Sequence, residues 1–517
     1  MASRNGAAYL AHHSVEPTLA AGLSKIIRER PADPVRALGE YLLSHAAGAT
    51  VAVQSSVDPR GLVDTQPNQQ VDPTTARVAT QLSLNQIVDL HQLTELSLKK
   101  AGLTSLPANI AAGKNIKKLE LSLNPGLCTL PDEIGGMDHL RILFALGCGF
   151  KHIPDALGAL PSLYMLSFKS NQLERISAGA LAPTIEWLIL TDNRLEELPS
   201  SLPLGLRKVM LTNNRLRALP DALLRCRDLE LIRLADNDLS ALPAGFLEMP
   251  KLSWVALAGN PLIEQRRAPL PEPRWIAADD LIVQEQLGAG GGGFVHRAVW
   301  ASTPEAEPVA VKIFRNPDSV SDGDPRHEID LGSALQHPNV IRVIGASREP
   351  RLGLVLELLD TRTRWTELGK PPNFDTCTRD TYAEDARFAP SHVLRTLRGV
   401  AAACAHLHSK GFTHGDLYSH NTLVDISNGE AKVGDFGAAY NYEPIGGDGG
   451  AALIERLEVR AFGCMAEELL SRLKPSDDGS TASLPGQMAP LVARCMALEV
   501  AARPSFDEVV DALAAFS

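Results

Sequence analysis

At 517 residues the chain exceeds the roughly 250 to 300 residues at which a single hydrophobic core stops growing, so two or three domains are expected. Fifty basic residues against 61 acidic ones give a net charge of −11 with no dense basic stripe, which argues against nucleic acid or an anionic membrane as a direct partner. The seven cysteines are odd in number, scattered and without a CxxC pair, a pattern of reduced thiols and not of a disulfide framework or zinc site. The N-terminus lacks an apolar stretch of signal-peptide length, and no apolar run reaches the ~18 residues a membrane helix needs. A soluble, cytoplasmic protein without a membrane span is therefore expected.

Residues 1–16 carry no periodicity and are expected to be disordered. In 17–45, Leu19, Leu23, Ile26 and Ile27 recur at helical spacing, Arg30-Pro31-Ala32-Asp33-Pro34 interrupts, and Val35, Leu38, Tyr41, Leu42 and Leu43 form a second apolar face. This predicts a helical hairpin. Two short helices bury too little surface to stand alone, so a second copy or another helix must complete the core. The apolar helix, RPxxP and Tyr-Leu-Leu ending resemble the Dumpy-30 motif, related to the dimerisation and docking module of protein kinase A regulatory subunits. The resemblance implies a homodimer through 17–45 that docks an amphipathic helix and anchors the protein to a scaffold. A hairpin that merely caps the next domain would show the same periodicity.

Residues 46–81 shift to Ala, Gly, Ser, Thr, Pro and Gln and read as a flexible linker. Over 82–262 the chain repeats itself, with registers beginning at Leu93, Ile116, Leu140, Leu163, Ile185, Leu206, Leu229 and Leu252. Each approximates LxxLxLxxNxLxxLP, the leucine-rich repeat, and an α/β solenoid follows. Pairs such as Leu188 and Leu190, Val209 and Leu211, and Ile232 and Leu234 should point into the core. Asn124, Asn171, Asn193, Asn214, Asn237 and Asn260, with Cys148 as a substitute, should bond the backbone of neighbouring turns. The outward strand positions Ile142, Phe144, Met165, Trp187, Ile189, Met210, Leu231 and Trp254 form a row more apolar than a solvated face requires. That row predicts a protein-docking patch on the concave side, unless the linker or the C-terminal domain covers it.

A Pro-rich linker, 263–279, leads to a last domain at 280–517. Its motifs follow in order: Gly288, Gly290, Gly293 and Val295 as GxGxxGxV; Lys312 in Val-Ala-Val-Lys; Glu328 nine residues before His337; the run LGLVLELL; HGDLYSHN; and Asp435 in Asp-Phe-Gly. Together they resemble the protein kinase catalytic domain, which implies a bilobal α+β fold using ATP and Mg2+. The overall expectation is thus multidomain: a helical hairpin, a repeat solenoid and a bilobal kinase fold. On that resemblance the glycines and Val295 cover the phosphates and Lys312 reaches them, paired to Glu328. Leu356 is the gatekeeper, and the backbone from Glu357 to Leu359 meets adenine. Asp416 accepts the acceptor's proton, while Asn421 and Asp435 hold the metal. The order of repeats and kinase with the HGDLY variant resembles a leucine-rich-repeat kinase family known mostly from bacteria.

Five departures leave the reading open. Gly415 stands where the motif usually has Arg, so activation by loop phosphorylation is not expected. Tyr418 stands where most Ser/Thr kinases have Lys, so a lower rate or compensation by another basic residue should follow. Only 22 residues separate Asp435 from Glu458, without an APE motif, and Glu458 itself replaces an Asp. The stretch from Thr361 to Pro390 is longer than an ordinary hinge connection. A protein kinase acting on Ser/Thr is the expected activity, although Tyr418 follows neither the Ser/Thr nor the Tyr pattern. The alternatives are a scaffold that binds nucleotide without efficient transfer and a small-molecule kinase, since aminoglycoside and choline kinases also carry HGD followed by Asn.

Overall fold

The computed structural model describes residues 75–77 and 90–516, apart from 265–269, 291, 316–323, 349–351, 446–448 and 475–483. The described residues all fall within one compact unit, Asn68–Ser517. The expected N-terminus 1–16, the hairpin 17–45 and most of the linker 46–81 lie outside the described residues.

Nine three-residue strands pair in chain order as one sheet: β1 (Thr75–Arg77), β2 (Glu95–Ser97), β3 (Lys118–Glu120), β4 (Ile142–Phe144), β5 (Met165–Ser167), β6 (Trp187–Ile189), β7 (Lys208–Met210), β8 (Leu231–Arg233) and β9 (Trp254–Ala256). All neighbours are parallel, as in Trp187 opposite Lys208 and Leu231 opposite Trp254. β1 corrects the expected linker, because Thr75 pairs with Glu95 and the sheet therefore begins before residue 82. An edge strand exposes unpaired N–H and C=O groups, and the chain leading into it supplies partners for them.

The leucine pattern and the asparagines act as expected. Leu188, Leu190, Val209, Leu211, Ile232 and Leu234 are all buried in the solenoid core. Asn214 shows the ladder: its Nδ2 donates to Leu190 O at 3.0 Å and Leu211 O at 2.9 Å, and its Oδ1 accepts from Leu195 N at 3.1 Å. Cys148 substitutes with an Sγ contact to Leu121 O at 3.4 Å. The asparagine repeats thus commit a side-chain amide to the carbonyls of their own turn and the one before, which locks the stacking of turns.

After a single helical turn, α1 (Pro261–Glu264), the end of the expected linker 263–279 is not featureless. Ile276 N donates to Ala346 O at 2.8 Å, Ala346 N donates to Arg274 O at 2.9 Å, and Ile276 is buried. This segment extends the edge of a five-stranded antiparallel sheet of order β10-β11-β12-β14-β13, formed by Leu281–Ala289, Gly293–Trp300, Glu307–Phe314, Gly353–Glu357 and Val343–Ser347 respectively. Helix α2 (Pro325–Ala334) packs on it, started by Asp324, whose side chain accepts from Arg326 N, and by proline at the first turn.

The lower lobe is built on α3 (Pro390–Ser409), α4 (Gly450–Leu470), α5 (Leu484–Cys495) and α6 (Phe506–Ala514). Val393, Leu397, Val400, Cys404 and Leu407 recur at helical spacing and form the buried stripe of α3. Gly411, at φ +74°, ends that helix and delivers the chain into β16 (Phe412–Thr413). β16 pairs with β19 (Tyr440–Asn441), and β15 (Trp365–Glu367), β17 (Thr422–Asp425) and β18 (Ala431–Val433) form a second small sheet.

The concave face of the solenoid is covered by this same C-terminal domain, the alternative that the sequence leaves open beside a docking patch for another protein. Met165, Trp187, Leu231 and Trp254 are all buried, and Phe144, Ile189 and Met210 are half-buried. The long stretch after β14 supplies part of the cover: Cys377 lies fully buried against Met165 and Trp187, and the Phe374 ring sits 6.0 Å from Phe144 and 6.2 Å from Trp187. Farther along, Leu231 and Trp254 belong to the apolar cluster of α3 and α4. In the other direction Ala438, Tyr440, Tyr442, Ile454, Leu457 and Val500 join the leucine core of the repeats. An apolar row of that size is unfavourable in water, and the occupant tethered to it meets it first.

Candidate functional site

The cleft between the two lobes gathers the expected residues. Val295 lies directly opposite both Gly288 on β10 and Lys312 on β12, so the glycine-rich turn stands over the lysine. A side chain at Gly288 or Gly290 would meet nothing within 4 Å, whereas a Cβ at Gly293 would fall 2.3 Å from Ile313 O. Gly293 is therefore required by the packing of β11 on β12, a role the phosphate reading did not include.

Lys312 Nζ reaches Glu328 Oε1 on α2 at 2.6 Å and Asp435 Oδ1 at 3.0 Å. Burial opposes its charge, but the two carboxylates outweigh that and hold its pKa above the ordinary lysine value. Lys312 in turn pulls the Asp435 carboxyl below the usual range, against the effect of burial. Asp435 adopts φ +59°, an uncommon conformation for a residue with a Cβ, and its side chain faces the cleft with about half its surface exposed.

The loop after β16 is held by two buried side chains. His414 accepts from Asp416 N at Nδ1, 3.2 Å, and its Nε2 lies 3.0 Å from Gly434 O, so these partners assign the neutral tautomer with the proton on Nε2. Glu458 on α4 accepts from Gly415 N, Thr413 Oγ1 and His408 Nε2, each at 2.8 Å. Burial would raise its pKa, but the bond and charge of His408 overcome this and lower it. The Glu in place of Asp thus clamps the loop backbone. Asn421 Nδ2 donates to Asp416 O at 2.9 Å and to Asp416 Oδ2 at 3.1 Å, joining the two loop residues.

Residues 281–512 match the protein kinase domain family, residues 205–262 the leucine rich repeat family, and residues 6–47 the Dpy-30 motif family. The C-terminal domain is a protein kinase domain. Its sequence is similar to "Probable serine/threonine-protein kinase gdt2" of Dictyostelium discoideum, at 28 % identity over 171 residues, 31 % of this chain and 9 % of that protein. Serine/threonine-protein kinase GRIK1 of Arabidopsis thaliana is 26 % identical over 170 residues, 31 % of this chain and 39 % of its own length. Non-receptor tyrosine-protein kinase TNK1 of Homo sapiens is 32 % identical over 168 residues, 32 % of this chain and 23 % of its own length. The alignments therefore span well under half of each of these relatives.

At the end of β14, Glu357 makes three bonds: its carboxylate accepts from Lys432 Nζ on β18 and from Arg342 N, each at 2.8 Å, and its amide donates to Arg342 O at 3.0 Å. Its side chain thus links the lobes, and Leu359 follows two residues on. The long connection after β14 returns to the loop that follows β16 through Asp380, whose Oδ1 lies 2.7 Å from His420 Nδ1 and whose Oδ2 accepts from His420 N at 3.0 Å.

The residue that sequence reasoning missed is Arg233 of the solenoid. Its Nη1 donates to Gly415 O at 2.8 Å and its Nη2 donates to Asp416 Oδ1. It stands on β8 in the column of outward positions that holds Ile189 and Met210, but a search for apolar residues passes over it. Trp254 was singled out as a docking residue, and its partner is the kinase loop itself: the ring stacks on Tyr418 and Nε1 donates to Leu417 O at 2.9 Å. Arg503 ties the far end, with Nη2 on Pro250 O at 2.7 Å.

Proposed function

We propose that the chain is an ATP- and magnesium-dependent protein kinase acting on Ser or Thr hydroxyls. The observation that carries this is Lys312 held at once by Glu328 at 2.6 Å and Asp435 at 3.0 Å, in a cleft that also contains Asp416 and Asn421. A lysine so placed is an electrostatic partner for phosphates, and its pairing with α2 sets its position before nucleotide arrives.

The donors fit a hard cation. Asp435 presents a half-exposed carboxylate, and Asn421 commits its Nδ2 to Asp416, with Oδ1 as the donor atom for a metal. Among the described residues there is no cluster of three or more His, Cys, Asp or Glu side chains suited to a metal, so phosphate oxygens would complete the coordination shell. Mg2+, when bound, neutralises charge on the phosphates of ATP. Asp416 orients the acceptor hydroxyl and takes its proton, while Gly288 and Gly290 allow the backbone close to the phosphates and the segment from Glu357 to Leu359 borders the adenine end.

All seven cysteines are free thiols, which supports a reducing compartment such as the cytoplasm. Among the described residues no helix is long and apolar enough to cross a membrane. The Dpy-30 match supports homodimerisation, which this reading assigns to 17–45 together with capture of an amphipathic helix.

A second reading has its own observation: repeats seven and eight pack against the segment after Asp435, where a peptide acceptor would approach, and Asp416 already accepts from Arg233. It makes the chain a nucleotide-binding scaffold or a kinase for a small acceptor. Transfer of labelled phosphate from ATP with magnesium, by the full-length protein onto itself and generic protein acceptors beside Asp435→Asn, decides between them. Incorporation that the variant loses supports the protein kinase; nucleotide binding without transfer to protein supports the second reading.

A further inference from the structure

The two departures in the catalytic loop both lie against the solenoid. Gly415 sits at φ +71°, and a Cβ there would fall 2.4 Å from Ala438 O and 2.8 Å from Val255 O, the latter on β9. No arginine fits at that position while the eighth repeat lies where it does. Tyr418 is buried beneath Trp254, so a lysine there would lose its water and gain an aromatic face in place of an anion.

A cation reaches the same loop from the other domain. Arg233 bonds the carbonyl of Gly415 and the carboxylate of Asp416 with two nitrogens of one guanidinium, and its side chain is 4 % exposed. Its backbone lies in β8 between β7 and β9, so both ends of the side chain are fixed. The other oxygen of Asp416 accepts from Asn421. The carboxylate is therefore oriented from two sides, one kinase and one solenoid, yet its side chain keeps 18 % of its surface open. Lys312 and Glu328 are closed on each other at the same time, so the contact coexists with an assembled site.

We infer that Arg233 is a positioning residue for phosphotransfer: the seventh repeat supplies the cation that the catalytic loop lacks at Gly415 and Tyr418, and the solenoid is part of the active site. Acting through Asp416, Arg233 fixes the carboxylate that receives the acceptor's proton and places positive charge beside the reacting centre. This rests on the kinase reading above.

The test compares wild-type full-length protein with Arg233→Gln and Arg233→Lys. It measures transfer at saturating ATP and magnesium, the dissociation constant of a fluorescent ADP analogue, and thermal unfolding. The expected result is a fall in kcat of roughly 10²- to 10³-fold in Arg233→Gln. Nucleotide affinity should stay within about threefold, and Arg233→Lys, which restores the charge beside Asp416 but not the two-pronged contact, should recover about tenfold of the lost rate and stay below wild type. Three outcomes overturn the role: a rate in Arg233→Gln equal to or above wild type, which would make Arg233 an inhibitory clamp; a lysine variant no better than glutamine; or losses of rate and nucleotide binding that move together with unfolding. A folding failure of Arg233→Gln alone leaves the Arg233→Lys comparison, where a folded variant with no transfer also overturns it. Wild-type protein that binds nucleotide and transfers nothing sinks the kinase reading and this role with it, which separates that failure from one confined to Arg233.

Discussion

Trp254 of the last repeat lies flat on Tyr418 of the catalytic loop, with ring centroids 4.5 Å apart and planes 3° from parallel. The indole N–H donates to Leu417 O at 2.9 Å, so the pair combines stacking with a bond to the loop backbone. Both rings are buried, and they join the solenoid to the lower lobe at the point where the chemistry is proposed to occur.

Truncation of that ring should cost heavily. Trp254→Ala leaves a cavity and a loop carbonyl without its donor, and a loss of about 3–5 kcal/mol in unfolding free energy is expected from denaturant titration. A loss below about 1 kcal/mol would mean that the two domains do not share a core in solution.

Restoring the usual arginine at Gly415 should harm the protein. The added side chain meets Val255 O and Ala438 O, and φ +71° strains any residue with a Cβ. Gly415→Arg is expected to lower the unfolding midpoint and to reduce phosphate transfer. A faster enzyme would show that Gly415 is a defect and not an accommodation to the solenoid.

Asp435→Asn separates chemistry from folding. The substitution removes one of the two carboxylates facing buried Lys312 and leaves Glu328 in place, so a stability loss of about 1–2 kcal/mol is expected, far from unfolding the domain. Transfer should fall by roughly 10³-fold as the metal loses a charged ligand. Equal transfer by the variant and wild type would remove Asp435 from the site.

The His420–Asp380 pair gives a pH dependence. Burial opposes the charge on His420, but the bond and charge of Asp380, with Asp416 and Asp435 nearby, raise its pKa above 6.5 in the folded protein. A raised folded pKa contributes stability that is fully present below pH 6.5 and is lost as pH rises through the folded value. The difference in melting temperature between wild type and His420→Gln should therefore shrink from about pH 6 to about pH 9. A difference that is flat or grows over that range would contradict the pairing.

Much of this protein was legible before folding was considered. The repeat registers and asparagine ladder follow from a period that any stacked turn must satisfy, because each turn buries the same leucines and the same orphan carbonyls. The order of Lys312, Glu328, Asp416, Asn421 and Asp435 was likewise readable, since each chemical role demands its residue type. Read one at a time, Gly415, Tyr418 and the long stretch after the hinge looked like departures, and the apolar row from Phe144 to Trp254 looked like a surface awaiting a partner.

Only the tertiary structure showed that these features are one interface. Phe374 and Cys377 cover Trp187, Tyr418 lies under Trp254, and Arg233 reaches Asp416 across 183 positions of chain. Local sequence determined each element because helix, strand and repeat periods are properties of neighbouring residues. It could not determine what those elements meet, because contacts between distant segments depend on how two finished surfaces come together. For this chain, that meeting decided what the concave face binds and which cation stands beside Asp416.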